Sequence, residues 1–488
     1  MKTRLLALLA AMLMLLPLCF SGCAEPTEAE TEQTDATTGP EETDDGLLTD
    51  NLPEVTFPDD NFTFRIVGQG GSGWTANNLL YPEEDSEDPL QSAKLLRYTT
   101  VEERFQLANN IEVFLSDTVL QTVQSAVRSG SKDFDLIAMD TYNTFNAATG
   151  DLLVDLYSLE YLDLSQPYYD QNYIHDMSVD GKLFSAVTDM DYIDMYCMFV
   201  LMYNKNMLKT YDLRDPYEYV KEDKWTLDTF QAMLKDISTD DGNGVWGPED
   251  TYGFACHHGS ARGLYFGCGL SICTMNDQTK LPELTIVNTD KEKLVNVADK
   301  IAAIIHGDNT TLINTEIVKA FMEGRALFLS EIVGYLGAFR DMEDDFGVVP
   351  FPKYNESQDR YYMINDPCIM VISIPQFSYK EGELDRTAIL LEALCCTSYN
   401  YVRPAYYDDV LSGKEVRDYQ TQEMLELCRE SRIYDFGYFN NIGSLSTIFS
   451  TLAADSSPDI VSTINKGTKS ATKQLSKLIT KYEDLGER

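Results

Sequence analysis

Gly68-Gln69-Gly70-Gly71-Ser72-Gly73 fits GxGxxG directly after a strand-like alternation, the arrangement in which backbone amides approach a pyrophosphate. Dinucleotide binding also needs an amphipathic helix opening on the last glycine. Here Trp74-Thr75-Ala76-Asn77-Asn78 runs into a stretch rich in Pro, Glu and Asp instead. As a strand-end loop the same residues suit a binding surface, with Gln69 for hydrogen bonding and Trp74 as a stacking platform; a flexible glycine loop with an incidental Trp is the plainer alternative. His257-His258 beside Cys256 offers metal-ligating atoms, but neighbours in sequence point apart and no further ligand set accompanies them, so no metal site is expected. Asp240-Asp241-Gly242-Asn243-Gly244 hints at a calcium loop, yet Val245 and Trp246 stand where a ligand and a glycine are required, and a turn is the expectation. GxSxG, HExxH and the P-loop are missing from the sequence. A secreted glycosidase would need two facing carboxylates, an alternative that 79 Asp and Glu residues leave open.

The elements that must position such residues alternate strand and helix. Phe62, Phe64 and Ile66 interleave with Thr63, Arg65 and Val67, which predicts a half-buried strand. Asp117 is placed to cap a helix carrying Val119, Val123 and Val127, ended by Gly130, and a buried strand follows over residues 133–140. Thr226 starts a helix with Leu227, Phe230, Leu234 and Ile237 on one face, and Trp225 before it is expected to pack as a staple. Amphipathic helices are also expected at 314–324 and around Leu475, Leu478, Ile479 and Tyr482. Strand, helix, strand at this spacing gives an α/β class with a parallel sheet.

A length of 488 residues suggests two or three domains, and the 44% hydrophobic share is enough for real cores. The formal charge of −41 argues against nucleic acid or anionic lipid as the main partner, since both require a positive surface. Lys2 and Arg4, the apolar run Leu5 to Phe20 and then Ser21-Gly22 describe an export signal over 1–22. Phe20-Ser21-Gly22-Cys23 resembles a bacterial lipobox, with Phe where that pattern prefers Leu, which implies acylation of Cys23. Residues 23–58 are acidic and poor in apolar side chains and read as an extended tether. Eight cysteines remain beyond Cys23, with no CxxC pair and no connectivity legible from spacing.

Seven phrases in order resemble one family. They are Leu152-Leu153-Val154-Asp155-Leu156, Asp180-Gly181-Lys182-Leu183-Phe184, Met202-Tyr203-Asn204-Lys205-Asn206-Met207-Leu208, Lys224-Trp225-Thr226-Leu227-Asp228, Asp250-Thr251-Tyr252-Gly253, residues 320–326 and residues 346–353. Together they resemble the extracellular solute-binding proteins of bacterial ABC importers, family 1 and sugar-type. The regions Tyr399 to Tyr407 and Asp418 to Phe436 look like a branch found in anaerobic gut Firmicutes. The resemblance implies a two-lobed, type II periplasmic-binding-protein-like α/β fold with a hinge and an interlobe cleft. Lobe I would hold 59–189 and 371–437, and lobe II 190–370 and 438–488.

It also implies a ligand site. Asp140 and Tyr142 fall at the cleft-lining end of a lobe I strand, and Asp189, Asp191 and Tyr192 at the first interlobe crossing. His257, His258 and Arg262 follow a lobe II strand, Glu331 and Tyr335 follow another, and Asp366 lies near the second crossing. In so acidic a chain each of these acids is equally well read as a solvated surface carboxylate. The expected function is a lipid-anchored, extracellular, monomeric binder that captures a carbohydrate, an oligosaccharide, for ABC permease subunits, without catalysis or cofactor. A non-sugar solute, or a sensor role toward a membrane receptor, is the alternative within this fold.

Overall fold

Phe64, Ile66 and Val67 are all fully buried, so the first strand is covered on both faces rather than the one that its alternation predicts. The reason is its place in the sheet, where it lies between two parallel neighbours beneath crossover helices. The computed structural model describes residues 46–71, 80, 87–307, 311–313, 316–407 and 419–485, which belong to one compact unit, Glu42–Arg488. Cys23, the export signal and Trp74 lie outside the described residues.

In chain order the strands are β1 (Arg65–Gln69), β2 (Glu112–Ser116), β3 (Leu136–Asp140), β4 (Phe199–Asn204), β5 (Tyr252–Cys256), β6 (Thr274–Asn276) and β7 (Leu281–Glu283). They continue as β8 (Thr311–Ile313), β9 (Ala326–Ile332), β10 (Phe346–Val349), β11 (Met363–Ile364), β12 (Met370–Ser373) and β13 (Arg432–Ile433). One sheet has the order β12-β3-β1-β2, with β1 parallel to β2 and β3 and β12 antiparallel to β3. The other has the order β10-β4-β9-β5-β8, with β5 parallel to β8 and β9 and β4 antiparallel to β9. The chain leaves the first sheet beside Ala186, which bridges Ile372, and enters the second at β4. It returns past Asn365, which bridges Met198, into β12. Two crossing segments, 187–198 and 365–369, therefore run side by side between the sheets.

Local chemistry explains several of these elements. Thr226 caps the helix Leu227–Met233 by accepting from the Thr229 N–H, as its sequence predicts. The helix Val119–Ser129 ends on Gly130 in the left-handed region, but its N-cap is Thr118. Asp117, expected as that cap, faces the β1 loop instead: a Cβ on Gly70 would sit 2.5 Å from its Oδ1, so a larger residue there would displace the Asp117 side chain. Trp225 is fully buried against Phe230 and Phe328 and donates Nε1–H to the Pro350 carbonyl at 2.8 Å. Trp225→Phe should cost about 2 kcal/mol in denaturant unfolding, from lost volume and an unpaired buried carbonyl. An unchanged midpoint would refute this role.

The tether was expected to reach residue 58, but the chain already packs from Leu48, whose N–H donates to Asn400 Oδ1 and whose carbonyl accepts from Asn400 Nδ2. Asp50 pairs with Arg104, and Phe57 stacks on Phe105 at 5.8 Å. The helix Glu383–Tyr406 packs on Pro89–Phe105, and Tyr419–Glu430 packs on β10 of the second sheet. The last helix, Ile460–Leu485, packs against Lys291–His306 and sets Tyr482 edge-on to Phe184 at 5.3 Å.

Candidate ligand cleft

At the ends of β1 and β3, Gln69 Nε2 donates to Asp140 Oδ2 at 2.8 Å, and the Asp140 N–H returns to Gln69 Oε1 at 3.1 Å. Asp140 also caps the helix Thr141–Thr149 through the Asn143 N–H, and Asn143 Nδ2 donates to Asp140 Oδ2 at 3.0 Å. This amide–carboxylate cluster presents polar atoms at the strand ends, with Tyr142 beside it and exposed. Thr141 Oγ1 donates to the Pro367 carbonyl at 2.9 Å, which joins this corner to the second crossing.

On the other side, Arg262 of the helix Ser260–Gly267 is buried and pairs with Asp366 at 3.1 Å. It also donates to the Tyr438 hydroxyl, and its guanidinium lies 4.8 Å from the Phe199 ring centroid and 5.2 Å from that of Tyr438. Burial works to raise the Asp366 carboxyl, but the Arg262 charge and bonds from Cys368 hold it below the ordinary range. His257 packs on Phe199, and its Nε2 is 4.0 Å from Glu331. Burial, then the Arg262 charge, drives His257 down to about 4, so the ring is neutral at neutral pH and this contact is not an ion pair. Burial raises Glu331, which accepts from the Ile332 N–H at 3.0 Å.

A family model for the bacterial extracellular solute-binding protein matches residues 100–378. The chain belongs to this family. Its fold recurs in a cyclo/maltodextrin-binding protein complexed with maltotetraose, at 13% identity and a TM-score of 0.55, over 86% of this chain and 97% of that one. A family 1 extracellular solute-binding protein from Bifidobacterium longum subsp. infantis matches at 16% identity and a TM-score of 0.52, over 87% of this chain and 99% of that one. An ABC substrate-binding protein from Listeria monocytogenes in complex with cycloalternan matches at 13% and 0.50, over 83% of this chain and 98% of that one. No curated protein sequence matches. The two lobes are thus those of a type II periplasmic-binding-protein fold, with the crossings as hinge.

In this solute-binding protein the expected site residues form three groups. Gln69, Asp140 and Tyr142 cluster on one lobe, while Arg262, Glu331 and Asp366 cluster near the second crossing. His258 is exposed, and its neighbour His257 faces Glu331 instead, because consecutive side chains diverge at a strand end. Tyr335 is half-buried beside Gly334, where a Cβ would strike the Tyr196 ring. The third group lies on the first crossing. Burial pushes Asp189 up to about 7 although Arg403 stands 3.6 Å away. Asp191 is raised to about 8 by burial and the Asp194 charge, and its Oδ1 accepts from the Ile193 N–H. Tyr192 stacks on Tyr406 at 4.4 Å.

Phe199 and Tyr438 complete the arginine cluster and were not among the expected site residues. An aromatic opening β4 beside a strand-end His is the one local signal for them. Asp240, Asp241 and Asp250 bring carboxylate oxygens within 4.8 Å of one another. Those oxygens accept from the loop's own amides, including Gly242, Gly244 and Gly247, which is how a turn uses them.

Proposed function

We propose that this protein captures a carbohydrate, of oligosaccharide size, between its lobes and delivers it intact to ABC permease subunits, held at the extracellular face of the cell membrane by lipid on Cys23. The observation that carries this reading is the fan of polar atoms at the ends of β1 and β3, where Gln69, Asp140 and Asn143 stand with the exposed Tyr142. Near the second crossing Asp366, paired with Arg262, keeps part of its carboxylate in solvent. Sugars present C–H faces to rings and hydroxyls to amides and carboxylates, and closure of the lobes desolvates those contacts. Proteins of the same fold hold maltotetraose and cycloalternan, which supports this ligand class. Binding alone is required, with no chemistry on the sugar.

Thermal unfolding against a panel of mono- and oligosaccharides tests the proposal. A ligand at about a hundred times its Kd should add about 2.7 kcal/mol of stability. A shift with an oligosaccharide is expected. No shift with any carbohydrate, alongside one with another solute class, would overturn the sugar assignment.

A further inference from the structure

Cys197 and Cys368 lie on the two crossing segments with their sulfurs 3.9 Å apart, although 171 residues separate them in sequence. Their backbones are held together by the Met198–Asn365 bridge and the Asp366 N–H reaching the Cys197 carbonyl at 3.5 Å. A disulfide needs the sulfurs about 2.05 Å apart. Rotation of the two side chains on these paired segments can supply the remaining approach. Cys197 is buried and Cys368 is partly exposed, so one sulfur can meet a soluble oxidant while the other waits beneath it. The family is extracellular, and disulfides persist in such surroundings.

We infer that Cys197 and Cys368 are a covalent modification site, joined as a disulfide through exchange with a low-molecular-weight disulfide. The Cys368 thiolate attacks one sulfur of the oxidant, forming a mixed disulfide and releasing the first thiol. The Cys197 thiolate then attacks the Cys368 sulfur and releases the second. The two protons lost by the cysteines end on the two released thiols, and the oxidant's S–S bond is replaced by the Cys197–Cys368 bond. The neighbouring Cys197 sulfur and burial push the Cys368 thiol up, which slows exchange at neutral pH and makes it quicken as pH rises. The bond ties the two crossings to each other beside the Met198–Asn365 bridge, which restricts their movement relative to one another. It also closes a long loop, which stabilises the folded chain by restricting the unfolded one.

The test is peptide mapping of the full chain after oxidised glutathione at mildly alkaline pH, with free thiols alkylated before digestion. A peptide pair linked through Cys197 and Cys368 is expected, together with a rise in Tm that dithiothreitol reverses. Cys368→Ser should abolish the linked pair, leave Cys197 alkylated and make Tm insensitive to the oxidant. Alkylation of both wild-type cysteines after oxidation would overturn the inference. So would a stable glutathione adduct on Cys368 with Cys197 still a thiol. The wild-type map decides the matter even if the variant fails to fold.

Discussion

Arg262→Ala is expected to lower the unfolding free energy by about 3 kcal/mol, the largest single effect in the candidate cleft. Arg262 is buried, and its loss leaves Asp366 without its cation and the Tyr438 hydroxyl without its donor. Removing one partner of a buried pair costs about 3–5 kcal/mol because a charge remains unpaired. Asp366 keeps 33% of its side chain in solvent, which places the loss at the lower end. The stack on Phe199 and Tyr438 is lost as well. Arg262→Lys should recover part of the deficit, because it restores charge but not the planar fork. In urea unfolding, a double-mutant cycle with Asp366→Ala should show strong coupling. Additive effects of the two changes would refute the pair as the stabilising unit.

Stability should fall from pH 5 to pH 8, and Asp435 is the clearest cause. It is buried, accepts from the Ile272, Cys273 and Tyr438 N–H groups, and is nevertheless raised to about 7 by burial. Glu392, between the Tyr168 and Tyr169 hydroxyls, is likewise raised to about 7 by burial. A carboxyl raised in the folded state binds more protons there than in the unfolded chain. Its contribution is complete below the unfolded value, about pH 4, and is lost as pH rises through about 7. For Asp435 alone the loss between pH 5 and 8 is about 2–3 kcal/mol. His257, held low by burial, opposes the trend below about pH 6.5, and Asp366 and Glu426, also held low, oppose it only in more acid solution. Repulsion within a chain of formal charge −41 acts in the same direction as Asp435. Asp435→Asn separates the two, since it leaves the repulsion and removes the titration. Its urea midpoint should vary less between pH 5 and 8, and a slope equal to wild type would contradict the assignment.

The elements that local chemistry controls were legible in the sequence. The Thr226 cap, the buried Trp225, the Gly130 helix end and the strand ending at Asp140 follow from side-chain type and spacing alone. The family was legible too, through seven short phrases in order. What escaped was set by tertiary placement. The exposure of β1 depends on which strands flank it, and the pairing of Gln69 with Asp140 spans 71 residues. The choice between His257 and His258 depends on which way the chain turns after β5. Tyr438 reaches Arg262 across 176 residues, a distance at which residue type carries no signal. The docking of Leu48 on Asn400 was hidden by the acidic composition before it, which reads as tether until a single leucine finds a pocket.

The most direct measurement is a calorimetric titration of the protein with the oligosaccharide that stabilises it best, followed by chromatography of the sugar recovered from the complex. Saturable binding at one site per chain, with the sugar unchanged, is the predicted result. Progressive conversion of the sugar, or heat that never saturates, would contradict capture between the lobes as the function of this protein.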